Sequence, residues 1–277
     1  SRQDDDLDPA PRLEIVWEGG VDLDFLDDAD ARLRQARFNG DVQVSGDEFK
    51  LGSDMLVVDF DSQGESDAID RILASGGARV DRVGESGSLE AATIDLGLAR
   101  SEDGRTIPRE MIAEGGVSAR DLAQTLWTER LVVTFRESPS GDKETDRAPA
   151  GGLAGGLAGQ SEMGEVEVHR LNANEAVQIR LDEGARVFAD QLKGDAAAGL
   201  LELTGEDVMV LRGNVIADRM TEVRLNDTAG TVRSPGPGRF RYYDQPVVKP
   251  SNDRIERPAP AARTALALFA SRRSRAA

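Results

Sequence analysis

Residues 36–60 read ARFNGDVQVSGDEFKLGSDMLVVDF, and their alternation decides the fold class. Val42 and Val44 alternate with Asp41, Gln43 and Ser45, the period of two that a strand with one dry face requires. The intervening GDEFKLG carries turn-forming residues, with glycines where the backbone can take positive φ. Leu56, Val58 and Phe60 then fall on one face while Asp59 and Asp61 fall on the other. The stretch predicts two half-buried strands joined by a turn.

The pattern recurs along the chain. Val42 and Leu56 lie 14 residues apart, as do Val80 with Ile94 and Val117 with Leu131. The second copy reads SGGARVDRVGESGSLEAATIDLGL and the third AEGGVSARDLAQTLWTERLVVTF. A fourth, NANEAVQIRLDEGARVFADQLKGD, places Val177 and Leu192 15 apart, and a fifth runs from LRGNV into TEVRLND. A small or acidic pair precedes each second strand: Ser53 and Asp54, Ala91 and Ala92, Thr128 and Glu129, Ala189 and Asp190.

The anchors Val42, Val80, Val117, Val177 and Val215 are separated by 38, 37, 60 and 38 residues. The long interval contains SPSGDKETDRAPAGGLAGGLAGQ, residues 138–160, too poor in apolar side chains to order itself. Removing those 23 residues from 60 restores 37. The expectation is an all-β protein of about five stacked units, each leaving an apolar face for its neighbour to cover. Residues 1–35 read as an acidic segment with a first strand, 36–137 and 161–243 as the two parts of the β body, 138–160 as a flexible insertion and 244–277 as a tail.

Helix signals are few. Ile69, Ile72 and Leu73 in ESDAIDRILA (65–74) sit at helical spacing, and ARDLAQTLW shares the ambiguity; the repeat places both in strand or loop. The tail ARTALALFASRRSRAA is the best helical stretch, its basic end fitting either a membrane-surface contact or a frayed terminus.

Composition narrows function. Hydrophobic content of 39% supports a core, and 4% aromatics means that Val, Leu, Ile and Ala must build it. A net charge of −17 repels polyanions, so nucleic acid is not an expected partner. With no cysteine and one histidine, thiolate chemistry, zinc fingers and most catalytic triads are absent. His169 alternates with valines on a predicted strand and reads as a structural or surface residue. The cluster DLDFLDDADAR could weakly hold calcium but lacks the glycine-centred loop, so a solvated acidic face is expected. SPGPGRF (234–240) reads as a rigid turn closing the last strand, because two prolines remove amide donors that a phosphate cradle needs. No catalytic group, metal site or cofactor site assembles, and no enzyme activity is expected.

The run from ANEAVQIRL to SPGPGRF resembles the OstA-like (LptA-type) lipopolysaccharide-transport family in its strand pair followed by a small residue, an acid and a strand, as in Ala189, Asp190 and Leu192. Earlier units look alike: Gly40, Val42, Ser53, Asp54 and Leu56, then Gly116, Val117, Thr128, Glu129 and Leu131. The resemblance covers roughly residues 36–240. It implies an open, V-shaped antiparallel β-jellyroll in the periplasm, without enzymatic activity. Its apolar trough would shelter acyl chains of lipopolysaccharide or a related glycolipid, and its edge strands would pair with other jellyroll components or with a second copy. The expected trough residues are Val42, Val44, Leu56, Val58, Ile94, Leu96, Leu131, Val133, Ile179 and Leu181. A structural β-repeat protein with a closed core is the alternative, and a sugar-binding β-sandwich also remains open.

Overall fold

The computed structural model describes residues 13–255 apart from 28–30, 47–48, 62–67, 84–86, 102–103, 122–123, 138–165, 182–183, 227–230 and 246–252. Among the described residues, fourteen antiparallel strands form one sheet. Its body is a run of long hairpins: β3 (Leu33–Gly46), β4 (Phe49–Phe60), β5 (Ile69–Arg82), β6 (Ser88–Arg100), β7 (Thr106–Arg120), β8 (Thr125–Glu137), β9 (Val166–Arg180), β10 (Arg186–Asp195), β11 (Leu200–Arg212) and β12 (Val215–Asn226). Each pairs with the next in chain order. Among the described residues of the stretches at 65–74 and 119–127, residues 69–74, 119–120 and 125–127 lie in strands, as the repeat requires.

β3, β5, β7, β9 and β12 each carry a bulge with left-handed residues, and these bends line up across the sheet. Register shifts occur between Asn39 and Val42, Ser75 and Ala78, Glu114 and Val117, and Asn174 and Val177. Positive φ marks the same places: Gly40 and Asp41, Gly76 and Gly77, Gly115 and Gly116, Glu175 and Ala176, with Arg219 in β12. A bulge with left-handed residues kinks a strand and increases its local twist. Gly76 and Gly115 are needed twice over, because a Cβ would also meet Asp54 at 2.5 Å and Ala92 at 2.6 Å respectively.

The small-then-acidic pairs lie opposite these bends and serve them. Glu129 Oε2 accepts from the Gly116 amide at 3.2 Å, Asp190 Oδ2 from the Glu206 amide at 3.0 Å and Asp207 Oδ1 from the Arg219 amide at 2.7 Å. Thr128 Oγ1 donates to the Asn174 carbonyl at 2.7 Å, and Ser53 Oγ to the Met55 carbonyl at 3.1 Å. These bonds satisfy backbone groups that the ladder drops at each kink.

The line of bends divides the sheet into two leaves. At one end β1 (Leu13–Val16) pairs with β3 beyond its bend, while β2 (Val21–Phe25) pairs with β3 before it. Residues 18–20 cross between the leaves, with the Glu18 amide donating to the Gly40 carbonyl at 2.8 Å. At the other end β13 (Thr231–Arg233) and β14 (Arg239–Tyr242) split likewise across β12, and SPGPG forms the link between them. Side chains from both leaves form one core, with Val42, Leu56, Ala113, Val117, Leu131, Leu171, Val177, Ile179, Leu192 and Leu203 buried in it. The fold is an all-β, open, folded sheet of the jellyroll kind.

Two sequence expectations shift. The equivalent of Val42 in the second unit is Ala78, with Val80 two residues further on. In the fifth unit it is Met220, five residues after Val215. Valine identity misled there, because the bend needs positive φ and a small or apolar side chain after it, and Ala or Met serves as well as Val. Residues 13–35 hold two strands and the start of a third where one strand was expected. The proposed insertion at 138–160 and the helical tail stretch at 262–277 lie outside the described residues, although β8 and β9 pair directly from Glu137 and Val166 onward.

Candidate functional site

The apolar interior is not uniform. Across β7 to β11 it is filled: Leu126, Leu131, Leu171, Ile179, Leu192 and Leu203 are fully buried. Toward the β1/β2 end it opens into a cavity of about 260 Å³. Leu13 and Ile15 of β1, Val44, Phe49 and Leu51 come from one leaf; Leu23 of β2, Leu33, Ala36, Phe38, Leu56, Val58, Phe60, Ile69 and Ile72 come from the other. All of these side chains are apolar. Leu13 and Leu23, 36% and 51% exposed, stand at the mouth.

Of the ten trough residues expected from sequence, Val44, Leu56 and Val58 line this cavity. Val42, Ile94, Leu131, Val133 and Ile179 are buried in the filled core. Leu181, just past β9, packs against that core, and Leu96 is half-buried opposite Ile72 and Met111. Phe60 lines the cavity beside Leu56 and Val58, the face on which the sequence placed it, whereas Phe38, Phe49 and the strands that shape the mouth were not singled out in the sequence. The signal for those strands is present in the alternation of LEIV and VDLDF, from which Leu13, Ile15 and Leu23 line the cavity.

The apolar inner face continues at both ends of the sheet. Val21 and Phe25 of β2 are exposed at one end, and Val232, Phe240 and Tyr242 at the other. Phe240 stands opposite Ala217, whose side chain packs on the core, so it lies on the inner side of β14. β14 is held from the other side by Asp218, whose carboxylate receives Arg239 Nε and Nη2 at 2.9 Å each and also Arg241. Burial pushes the Asp218 carboxyl up, but the Arg239 hydrogen bonds and the Arg241 charge outweigh it and hold it below the ordinary carboxylate value.

The outer faces differ between leaves. On the leaf that carries β2, cross-strand ion pairs form an exposed ladder, including Arg71 with Asp95 at 2.6 Å and Arg130 with Glu114 at 2.7 Å. On the other leaf, Phe188, Met209, Leu211 and Ile216 form a second apolar cluster, against which Tyr243 and Ile255 pack. Beside it Arg186 is 1% exposed, with its guanidinium 5.9 Å from the centre of the Trp127 ring. His169 is half-buried on β9, and among the described residues no three His, Cys, Asp or Glu side chains group to hold a metal ion. No helix among the described residues is long and apolar enough to cross a membrane.

No family model matches the chain, and no curated protein matches it. Among the solved structures that resemble it in part is LptH, the LptA-homologous periplasmic component of the lipopolysaccharide transport device of Pseudomonas aeruginosa. The match covers 46% of this chain and 80% of that one, at 16% identity and a TM-score of 0.34. A score at that level does not assign a family. The class rests on the chain's own geometry: a folded antiparallel sheet with an apolar interior open at one end.

Proposed function

We propose that this protein is a non-enzymatic lipid binder that takes acyl chain into its interior from the β1/β2 end. The observation that carries the reading is the cavity of about 260 Å³ whose lining side chains are all apolar. Such a site offers no hydrogen bond and selects by area burial, at roughly 25 cal/mol per Å². A smaller apolar cavity of about 150 Å³ in another protein stays dry and accepts benzene, so this one suits a short run of a single chain. The resemblance in residues 36–240 supports the finer reading: lipopolysaccharide or a related glycolipid as ligand, the periplasm as location and a transport bridge in outer-membrane assembly as role. Exposed inner-face residues at both ends, Phe25 and Phe240 among them, fit docking of another jellyroll component or a second copy through the edge strands.

The ten trough residues then divide by role. Val44, Leu56 and Val58 contact lipid in the resting cavity, and the others meet it when the leaves part. Native mass spectrometry of protein purified from a lipopolysaccharide-producing host tests the reading. Retained lipid supports it; protein that stays lipid-free after exposure to membrane extract contradicts it. The completely buried middle of the sheet favours the second reading, a structural repeat protein, and that lipid-free result would establish it in place of the first.

A further inference from the structure

The outer face of the leaf that carries β1 holds a built docking site, and the chain's own residues Asp253–Ile255 occupy it. Arg186 Nη1 donates to the Asp253 carbonyl at 2.8 Å, and the Ile255 amide donates to Gln178 Oε1 at 3.2 Å. The Ile255 side chain packs on the Phe188, Met209, Leu211 and Ile216 cluster. Between these two anchors Arg254 reaches the line of bends. Both of its terminal nitrogens lie 3.3 Å from Glu129 Oε1, and Nη2 lies 3.4 Å from the Ala176 carbonyl. The other oxygen of Glu129 accepts from the Gly116 amide. One side chain thus joins the bends of β7, β8 and β9.

The bend it reaches differs from its neighbours. β5 and β7 turn on glycine pairs, whereas β9 turns on Glu175 and Ala176, with φ of 67° and 51°. Side-chain-bearing residues persist in that region where surrounding structure holds them. We propose that Asp253–Ile255 is a releasable latch, anchored on one leaf through Arg186 and Gln178, with Arg254 bracing the fold line and so the angle between the leaves. The design suits release: Arg254 and Glu129 are 37% and 43% exposed, and an exposed ion pair is weak and screened by salt. The latch spans β7 to β10, where the interior is filled, and not the β3 to β5 region, where the cavity lies. Loosening it lets the filled region widen.

The chain lacks cysteine, so Lys193→Cys and Arg120→Cys, on exposed positions of the two leaves, supply a unique spin-label pair in the full-length protein. Arg254→Ala, at an exposed position, is expected to broaden and lengthen the inter-leaf distance distribution. It should also speed amide exchange at Gly116 and Ile255 by about two- to fivefold, the range that an exposed ion pair supports. Arg254→Lys, which keeps the charge, restores part of the effect, and 0.5 M salt moves the wild type toward the Arg254→Ala result. Unchanged distances with unchanged exchange at both amides overturn the latch. Faster exchange without any change in distance also overturns it, because the segment would then dock without governing the leaves.

Discussion

Filling the cavity should stabilise the protein, and the same substitution a few strands away should do the reverse. Ala36 is 3% exposed and lines the cavity; Ala173 is fully buried on β9, where the interior has no such space. Ala36→Leu adds three carbons, worth up to about 2.4 kcal/mol at roughly 0.8 kcal/mol per buried methylene. Freezing the leucine rotamer removes about 0.5–1 kcal/mol. The net expectation is a gain of about 1–2 kcal/mol, or about 2–8 °C in melting temperature for a protein of this size. Ala173→Leu should lose about 1–3 kcal/mol by overpacking. Urea denaturation followed by circular dichroism reads the stability, and titration with a fluorescent apolar probe reads the site: Ala36→Leu should lower probe binding while raising stability. A loss of stability at Ala36 equal to that at Ala173 would refute a cavity open within the folded protein.

Asp218 makes the attachment of β14 depend on pH. Its carboxyl is held below the ordinary value of about 4, so its contribution is complete above that pH and is lost as acidity takes the solution down through the lowered folded value. Amide protection in β14 should therefore fall below about pH 4. Asp218→Asn should lose about 1.5–3 kcal/mol of β14 protection at pH 7 and show no such acid transition. Gly115→Ala should destabilise by at least about 1 kcal/mol, because φ is +84° and the new Cβ meets Ala92, whereas Gly52→Ala, with open space around it, should be near neutral in thermal melts. Association through the sheet ends should appear in sedimentation velocity as a concentration-dependent shift that Phe240→Asp abolishes; a monomer at every concentration counts against edge pairing.

The fold class was legible because period-two alternation and its recurrence follow directly from one dry face per strand. The small-then-acidic pair was legible as a pattern, and its cause came from the structure: Glu129 and Asp190 hold backbone amides at the bends. Ala78 and Met220 were not legible as unit anchors, since a bend imposes φ on its own residues and asks of the next one only an apolar side chain. Alternation also marks a residue as inward without distinguishing a filled layer from an open one. Leu131 and Leu56 look alike in sequence, yet one is sealed within the core and the other lines the cavity. The outer docking site was hidden for a further reason: Asp253 and Ile255 meet Arg186 and Gln178 from 67 and 77 residues away, and a buried arginine reads in sequence as a surface one.

Photo-crosslinking from the cavity wall tests lipid binding most directly. Phe38 and Phe60 line the cavity and accept a phenylalanine-derived photoreactive residue with little change in volume, while Asp59 on the same hairpin faces outward as the control. In folded protein exposed to membrane extract, the account predicts lipid adducts at Phe38 and Phe60 and none at Asp59. An absence of adducts at both phenylalanines, or equal adducts at all three positions, would contradict it.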